Sequence, residues 1–308
     1  MFLKEVYKGY NQWYFYLITL LVVFLATQLG SIPLLIYAIC ENPDLSELDT
    51  TLSTLSNTNL ELALMLFTFF IGFWALLFCI KFIHQKPIFS IITARKQIDW
   101  YRIFFAAGLW GILGLSATFL PMFFTENTQL MWQFNPEKFL GLLIISFTLF
   151  PFQTSFEELI FRGYLMQWCS YLFQYRWIAI LITGTLFGLM HGANPEIETF
   201  GIWIALPQYI FIGLLLGYLT VKDNGTELAL GFHMANNIMT SLTITGEGLT
   251  LQTNALFKDL NPTASWTDTA ILLLFGLLFI WISNKKYNFI HQNCIWEKII
   301  SSKLDIKE

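Results

Sequence analysis

Long apolar segments alternate with short polar ones along the whole chain. A helix that crosses a bilayer needs about 20 mostly apolar residues, and eight segments of the sequence approach that length and composition. They cover residues 14–39, 60–83, 102–124, 138–162, 177–194, 200–221, 226–245 and 268–284. The polar connections between them are too short for a separate soluble domain. The pattern therefore predicts an all-α, polytopic membrane helix bundle with about eight transmembrane helices.

Composition supports a membrane protein. Hydrophobic residues make up 56% of the 308 residues, and charged residues only 12%, against roughly 25% in a soluble domain. The first apolar segment is longer than the ~7–15-residue core of a signal peptide and shows no small-x-small cleavage site, so we expect it to be retained as a span. The four cysteines are scattered and show no metal-ligand spacing.

Positively charged residues collect in alternate connections, which predicts how the spans are oriented. The intervening connections are acidic or neutral. We therefore expect both termini to be cytoplasmic. Because no basic block or stripe occurs, the sequence gives no indication of a nucleic-acid partner. The residues that carry this pattern are Lys4, Lys8, Lys81, Lys86, Arg95, Lys96, Arg102, Arg176, Lys222, Lys285, Lys286, Lys298, Lys303 and Lys307.

The fourth predicted span contains three charged residues, Glu157, Glu158 and Arg162. A charge at membrane depth costs at least ~2.5–3.5 kcal/mol, so it persists where it is paired or functional. Glu158 and Arg162 are four residues apart with the acid first, which favours an ion pair along one helix. This pair could serve only to orient the helix. Glu157 points about 100° away, so we predict an unpaired carboxylate with a functional role, either in catalysis or in a proton or ion pathway.

Two histidines lie in later apolar segments, each with a neighbour four residues away on the same helix face. His191 follows Phe187, and His233 precedes Asn237. Counted from a turn near residues 173–176, Glu157 and His191 lie at similar depth. His233 reaches that depth only if the helix after Arg162 projects about two turns beyond the other turns. Alternatively, each histidine could be a hydrogen-bonded core residue.

Two further features bear on packing and on the membrane boundary. Glycines four residues apart, Gly184 with Gly188 and Gly213 with Gly217, predict that the helices carrying them approach their neighbours closely. The other two histidines lie beside lysines near predicted span ends, and we expect them to be interfacial. These are His84 and His291.

Three motifs follow one another on successive spans: EExxxR at residues 157–162, FxxxH at 187–191 and HxxxN at 233–237. This order resembles the CPBP intramembrane protease family. That family includes the Ras-converting CAAX prenyl endopeptidases and the bacterial CAAX-protease-like and bacteriocin-immunity proteins. The resemblance covers roughly residues 138–245, so we divide the chain into N-terminal spans (1–137), a catalytic core (138–245) and a last span with its tail (246–308).

The resemblance implies an endopeptidase that hydrolyses a peptide bond at the membrane. It implies a membrane-associated or prenylated, CAAX-like substrate, with peptides, membrane proteins and the lipid bilayer as partners, and we favour a bacterial plasma membrane. The implied roles are a general base that activates water, a residue that positions this water, two oxyanion donors and an ion pair that holds the site together. The implied general base is Glu157, and His191 positions the water. His233 and Asn237 are the implied oxyanion donors, and Glu158 and Arg162 form the ion pair.

The cofactor and the function class remain open at this stage. Two histidines and a carboxylate could hold Zn²⁺ with water in the fourth position, and the set would be Glu157, His191 and His233. HExxH is absent, so we favour a metal-free glutamate mechanism with no cofactor. A non-catalytic immunity or scaffold protein is one alternative. A proton-coupled transporter is another, although it would favour inverted repeats, and the sequence shows none.

Overall fold

The computed structural model describes residues 1–41, 58–120, 129–290 and 294–299. Within these ranges the chain is mainly helical. The helices are α1 (Trp13–Glu41), α2 (Thr58–Phe78), α3 (Trp100–Phe119), α4 (Pro136–Glu158), α5 (Met166–Phe173), α6 (Arg176–Met190), α7 (Pro195–Phe200), α8 (Ile202–Asp223), α9 (Glu227–Thr243) and α10 (Trp266–Tyr287). Short 3₁₀ helices span Phe2–Tyr7 and Ile88–Ile91, and π-helical turns span Cys79–Ile83 and Leu159–Leu165.

Six helical stretches in the described ranges are long and apolar enough to cross a membrane. The α6 helix is apolar but has only 15 residues, and α9 has 17 residues that include Glu227 and His233. The polytopic all-α bundle is thus confirmed, while the count of eight spans stays a prediction. The six stretches are Trp13–Glu41, Thr58–Ile83, Trp100–Phe119, Pro136–Phe173, Ile202–Asp223 and Trp266–Tyr287.

A small sheet, not predicted from the sequence, joins the connections at one end of the bundle. Its strands are β1 (Leu130–Trp132), β2 (Ile244–Gly246) and β3 (Phe257–Asp259), in the order β1-β3-β2. β1 pairs antiparallel to β3, and β2 pairs parallel to it. The sheet therefore ties the chain before α4 to the chain that follows α9.

The connections that carry positive charge meet at the opposite end. Arg95, between α2 and α3, lies 3.2 Å from Asp223 and 3.0 Å from Glu227, on either side of the turn between α8 and α9. Arg176, at the start of α6, donates a 2.7 Å hydrogen bond to the carbonyl of Cys294 in the tail. These connections share one end, as the charge pattern requires. The assignment of that end to the cytoplasm stays a prediction.

The α4 helix continues beyond its last two glutamates. The π-helical turn Leu159–Leu165 carries it into α5. Val221, near the end of α8, belongs to the same apolar cluster as Met166 and Cys169 of α5, and Phe2 covers this cluster. His233 bonds Glu158 only ten residues after α8 ends at Asp223, whereas α5 ends fifteen residues after Glu158. Because each helical residue rises about 1.5 Å, α5 extends beyond the turn between α8 and α9. This is the projection that His233 needs in order to reach the depth of Glu157.

The α6 and α8 helices approach so closely that backbone atoms of one lie next to backbone atoms of the other. A methyl group added to Gly213 would overlap the carbonyl oxygen of Gly184, and one added to Gly188 would lie 2.7 Å from the backbone nitrogen of Ile210. The close approach that the glycine spacing predicts is confirmed for this pair of helices. It brings the end of α6, and with it His191, against α8.

His84 is buried within the protein, and its expected position near the membrane boundary stays a prediction. It is fully buried, its Nδ1 donates to the carbonyl of Tyr10 and its Nε2 bonds the hydroxyl of Tyr164, both at 2.8 Å. It thus links the N-terminal segment to the π-helical turn after Glu158. His291 lies outside the described residues.

Candidate active site

Three elements bring the predicted site residues together. The end of α4 and the following π-helical turn carry the two glutamates and Arg162, the end of α6 carries His191, and the middle of α9 carries His233 and Asn237. π-Helical turns are rare and often occur at functional sites. Here the turn places the Arg162 guanidinium beneath the carboxylates rather than in the lipid.

The Glu158 carboxylate is the centre of the cluster. Its Oε1 accepts a 2.8 Å hydrogen bond from Nη1 of Arg162 and another 2.8 Å bond from Nδ1 of His233. Glu158 and Arg162 are fully buried. The other end of the guanidinium donates to the carbonyl of Gly213 at 3.3 Å, and its central carbon, Cζ, lies 4.2 Å from the centre of the Phe187 ring. The predicted ion pair is therefore present, and it also fixes a histidine on another helix.

The bond to Glu158 determines the tautomer of His233. A carboxylate oxygen held by a guanidinium only accepts, so Nδ1 of His233 carries the proton. The opposite nitrogen, Nε2, lies 3.7 Å from Oε2 of Glu157. That distance is too long for a hydrogen bond, and a water would have to lie beside the pair to contact both atoms. Oε2 is buried and has no hydrogen-bond partner among the described residues.

Glu157 is not unpaired, which corrects our expectation. Its Oε1 accepts a short hydrogen bond from Nε2 of Gln153, one turn earlier on α4. The amide oxygen of Gln153 in turn accepts a 2.9 Å bond from Nδ2 of Asn237. Sequence reasoning missed Gln153. Its position four residues before Glu157, in a predicted span, was the available signal.

His191 lies at the edge of this cluster. Its Nδ1 donates a 2.8 Å hydrogen bond to the carbonyl of Phe187, so Nε2 is the nitrogen that can accept. The ring stacks on Tyr209 of α8 with centroids 4.5 Å apart. The Phe187 ring packs against both imidazoles, 4.6 Å from that of His191 and 5.9 Å from that of His233. In the described part of the chain, no hydrogen bond or ion pair joins His191 to Glu157.

Comparison with known proteins agrees with the motifs. The family profile described as type II CAAX prenyl endopeptidase Rce1-like matches residues 136–239, from the start of α4 into α9. A curated relative, the uncharacterized protein YyaK of Bacillus subtilis (strain 168), is 31% identical over 243 residues, which cover 77% of this chain and 80% of YyaK. The chain belongs to the Rce1-like family. No solved structure matches it.

This Rce1-like chain does not present the three-ligand zinc set considered from its sequence. No group of three or more His, Cys, Asp or Glu residues in the described ranges could hold a metal ion. The Phe187 ring packs against the imidazoles of both His191 and His233. Glu157, His191 and His233 therefore do not fit a common metal, and we derive no step through one.

The Rce1-like site holds two carboxylates but only one guanidinium, so its charges do not cancel. Arg162 neutralises Glu158 at 2.8 Å, which leaves the Glu157 carboxylate as the second negative charge. A buried charge needs compensation by hydrogen bonds or by a counter-charge. For Glu157 the amide of Gln153 supplies one bond and the imidazole of His233 lies opposite. The remaining oxygen, Oε2, is buried and has no hydrogen-bond partner among the described residues.

Proposed function

We propose that this protein is an intramembrane endopeptidase that hydrolyses a peptide bond of a membrane-associated substrate with a water molecule activated by Glu157. One observation carries the proposal: the buried, otherwise unpartnered Oε2 of Glu157 faces Nε2 of His233 at 3.7 Å. Membership of a family of prenyl endopeptidases supports it.

The first chemical step is proton abstraction from the bound water. Glu157 takes the proton through Oε2, and the resulting hydroxide attacks the carbonyl carbon of the substrate. Glu157 can then pass the same proton to the leaving amine. The imidazole of His191 packs against Phe187 at the edge of the site. Its Nε2, which can accept a hydrogen bond, can position the water or the substrate.

The negative charge that develops on the substrate oxygen needs donors. Asn237 uses one N–H of its amide for Gln153, so its second N–H is available for the oxyanion. His233 can donate through Nε2 when its ring carries both protons. Removal of one such donor costs about 2.7–4 kcal/mol of transition-state stabilisation in a well-studied protease. Glu158 and Arg162 hold His233 in place from below the site.

The substrate class follows from the family and the position of the site. We infer a peptide or membrane protein with a membrane-associated or prenylated, CAAX-like end. We expect the enzyme to lie in a bacterial plasma membrane with the end that gathers Arg95 and Arg176 in the cytoplasm. The positive charge at that end supports this orientation.

The test is hydrolysis by purified protein in lipid vesicles, with a library of fluorogenic peptides that includes prenylated ones. Glu157→Gln should abolish cleavage. Glu137→Gln, on the exposed first turn of the same helix, is the matched control and should cleave normally. Cleavage by Glu157→Gln at the wild-type rate would refute the assigned base. Proton flux through the vesicles without hydrolysis would favour a transporter instead.

A further inference from the structure

A continuous row of side-chain hydrogen bonds leads from α3 to the proposed base. Nε1 of Trp110 donates to Oδ1 of Asn236 at 3.1 Å, and Nδ2 of Asn236 donates to Oδ1 of Asn237 at 3.2 Å. Nδ2 of Asn237 donates to Gln153, whose Nε2 donates to Oε1 of Glu157. Three helices, α3, α9 and α4, contribute to this row. We call these five residues the amide row.

Trp110 and Glu157, the two ends of the amide row, fix the orientation of the three amide side chains between them. An indole N–H can only donate, and a carboxylate can only accept. Each of the three amides therefore has one orientation that satisfies both neighbours. Turning any one of them would place two oxygens or two N–H groups against each other, and a buried polar group left without a partner is costly. The row thus has a single direction, with its donors aimed at Glu157.

This direction has two consequences for the site. One oxygen of Glu157 is held by Gln153, so the carboxylate cannot rotate freely and Oε2 stays opposite His233. The amide of Asn237 is turned so that its nitrogen, not its oxygen, lies on the side of Gln153. Its second N–H is then held ready as a donor for the oxyanion.

We infer that Gln153, Asn236 and Trp110 are positioning residues for the reaction, acting through Glu157 and Asn237. None of the three is a defining residue of the motifs, since Asn236 occupies a variable position of HxxxN, and Trp110 lies on a helix that carries no motif residue. This inference rests on the proposed function, because the row has a catalytic consequence only if Glu157 is the base.

The far end of the row adjoins a cavity of about 180 Å³ between α3, α9 and α10. Trp110 and Asn236 line it, together with the hydroxyl-bearing side chains of Thr240 and Thr243. A cavity of this size and polarity can admit water, which could replace the indole donor if that were removed. Gln153 has two side-chain partners and is buried, so its substitution is the sharper test.

The chain offers a matched pair of glutamines for that test. Gln153 and Gln167 lie on the same helical stretch, both are buried, and both make side-chain hydrogen bonds. Gln167 donates to the carbonyl of Ser90 at 2.7 Å, away from the site. Gln153→Met should lower kcat by about tenfold or more and leave KM within about twofold, since an unmade hydrogen bond at a base costs this order. Gln167→Met should leave kcat at the wild-type value.

Two further variants probe the far end. Trp110→Phe keeps the stacking on Phe232, whose ring centroid lies 3.8 Å away, and removes only the donor. We expect kcat to fall by about two- to fivefold, because water can partly replace the indole. Trp168→Phe is its control: the indole N–H of Trp168 is buried without a partner among the described residues, so kcat should not change.

A readout independent of activity separates this inference from the proposed function. In protein labelled with ¹⁵N-tryptophan, the indole resonance of Trp110 is identified by its loss in Trp110→Phe. We expect this resonance to shift in Gln153→Met and to stay in place in Gln167→Met. Absence of hydrolysis by the wild-type protein would refute the proposed function alone. An unmoved resonance, or wild-type kcat in Gln153→Met, would overturn the positioning role.

Discussion

Oε1 of Glu158 lies 2.8 Å from Nδ1 of His233, the same distance that separates it from Nη1 of Arg162. One carboxylate oxygen therefore serves an ion pair within a helical stretch and a contact between α4 and α9. The Glu158–Arg162 pair therefore has a second role beyond neutralising charge. It fixes the position and the tautomer of the His233 imidazole, which faces Glu157.

Glu158→Gln should lower both stability and activity. The substitution leaves the fully buried Arg162 without its counter-charge, a loss of about 3–5 kcal/mol in comparable buried pairs. The measurement is thermal unfolding in detergent alongside peptide hydrolysis. The double variant Glu158→Gln/Arg162→Met should recover part of the stability, because no unpaired charge remains, while activity stays low. If the single variant unfolded like wild type, the pair would not have the central role assigned to it.

The stack of Tyr209 on His191 should matter more than the Tyr209 hydroxyl. The hydroxyl accepts a 3.2 Å hydrogen bond from Asn194 outside the cluster, whereas the ring lies 4.5 Å from the imidazole. Aromatic pairs contribute about 0.5–1.5 kcal/mol beyond their buried area. We therefore expect Tyr209→Leu to reduce kcat/KM by about three- to tenfold and Tyr209→Phe to remain near wild type. Equal losses in the two variants would assign the effect to the hydroxyl instead.

The sequence predicted the parts of the site that are local. The Glu158–Arg162 pair follows from i,i+4 spacing, and the close approach of α6 follows from Gly184 and Gly188. The contact of Glu158 with His233 could not be predicted, because it depends on how α4 and α9 rotate about their axes. Such rotation is set by packing along the whole length of both helices rather than by any short pattern.

Long-range packing also explains the remaining differences. Glu157 was expected to be unpaired, but Gln153 of the same helix donates to one of its oxygens, and Asn237 of α9 orients that amide by donating to its oxygen. The small sheet has only three residues in each strand, too few for a recognisable alternation. The burial of His84 was also not predicted, because it depends on the N-terminal segment, which contacts it through Tyr10.

Gly213→Ala should destabilise the protein by forcing α6 and α8 apart. Its added methyl would overlap the carbonyl of Gly184, and the backbone oxygen of Gly213 also receives Arg162. Overpacking of a tight contact costs about 1–3 kcal/mol. The matched control is Gly108→Ala on α3, where an added methyl meets nothing within 4 Å. That variant should be neutral or gain about 0.5–1 kcal/mol. Equal melting temperatures for the two variants would contradict the close contact.

His84 should make stability depend on pH in the acidic range. Burial lowers the pKa of His84 from 6.5 to about 4, and the nearby positive charge of Lys86 acts in the same direction, against the hydrogen bond to Tyr10. Between these two values the unfolded chain binds a proton that the folded protein excludes, so stability rises with pH. The contribution is fully present above about pH 6.5 and is lost as the pH falls through about 4.

The size of this effect can be isolated with His84→Gln. A pKa difference of this size corresponds to about 2–3 kcal/mol across the window. Carboxylates also titrate there, so the quantity to measure is the difference in unfolding free energy between wild type and variant from pH 7 to pH 4. We expect wild type to lose its advantage over the variant as the pH falls, because protonation of Nε2 removes the acceptor of the Tyr164 hydroxyl, while Nδ1 still donates to Tyr10. A difference that is constant with pH would show that His84 is not held neutral by burial.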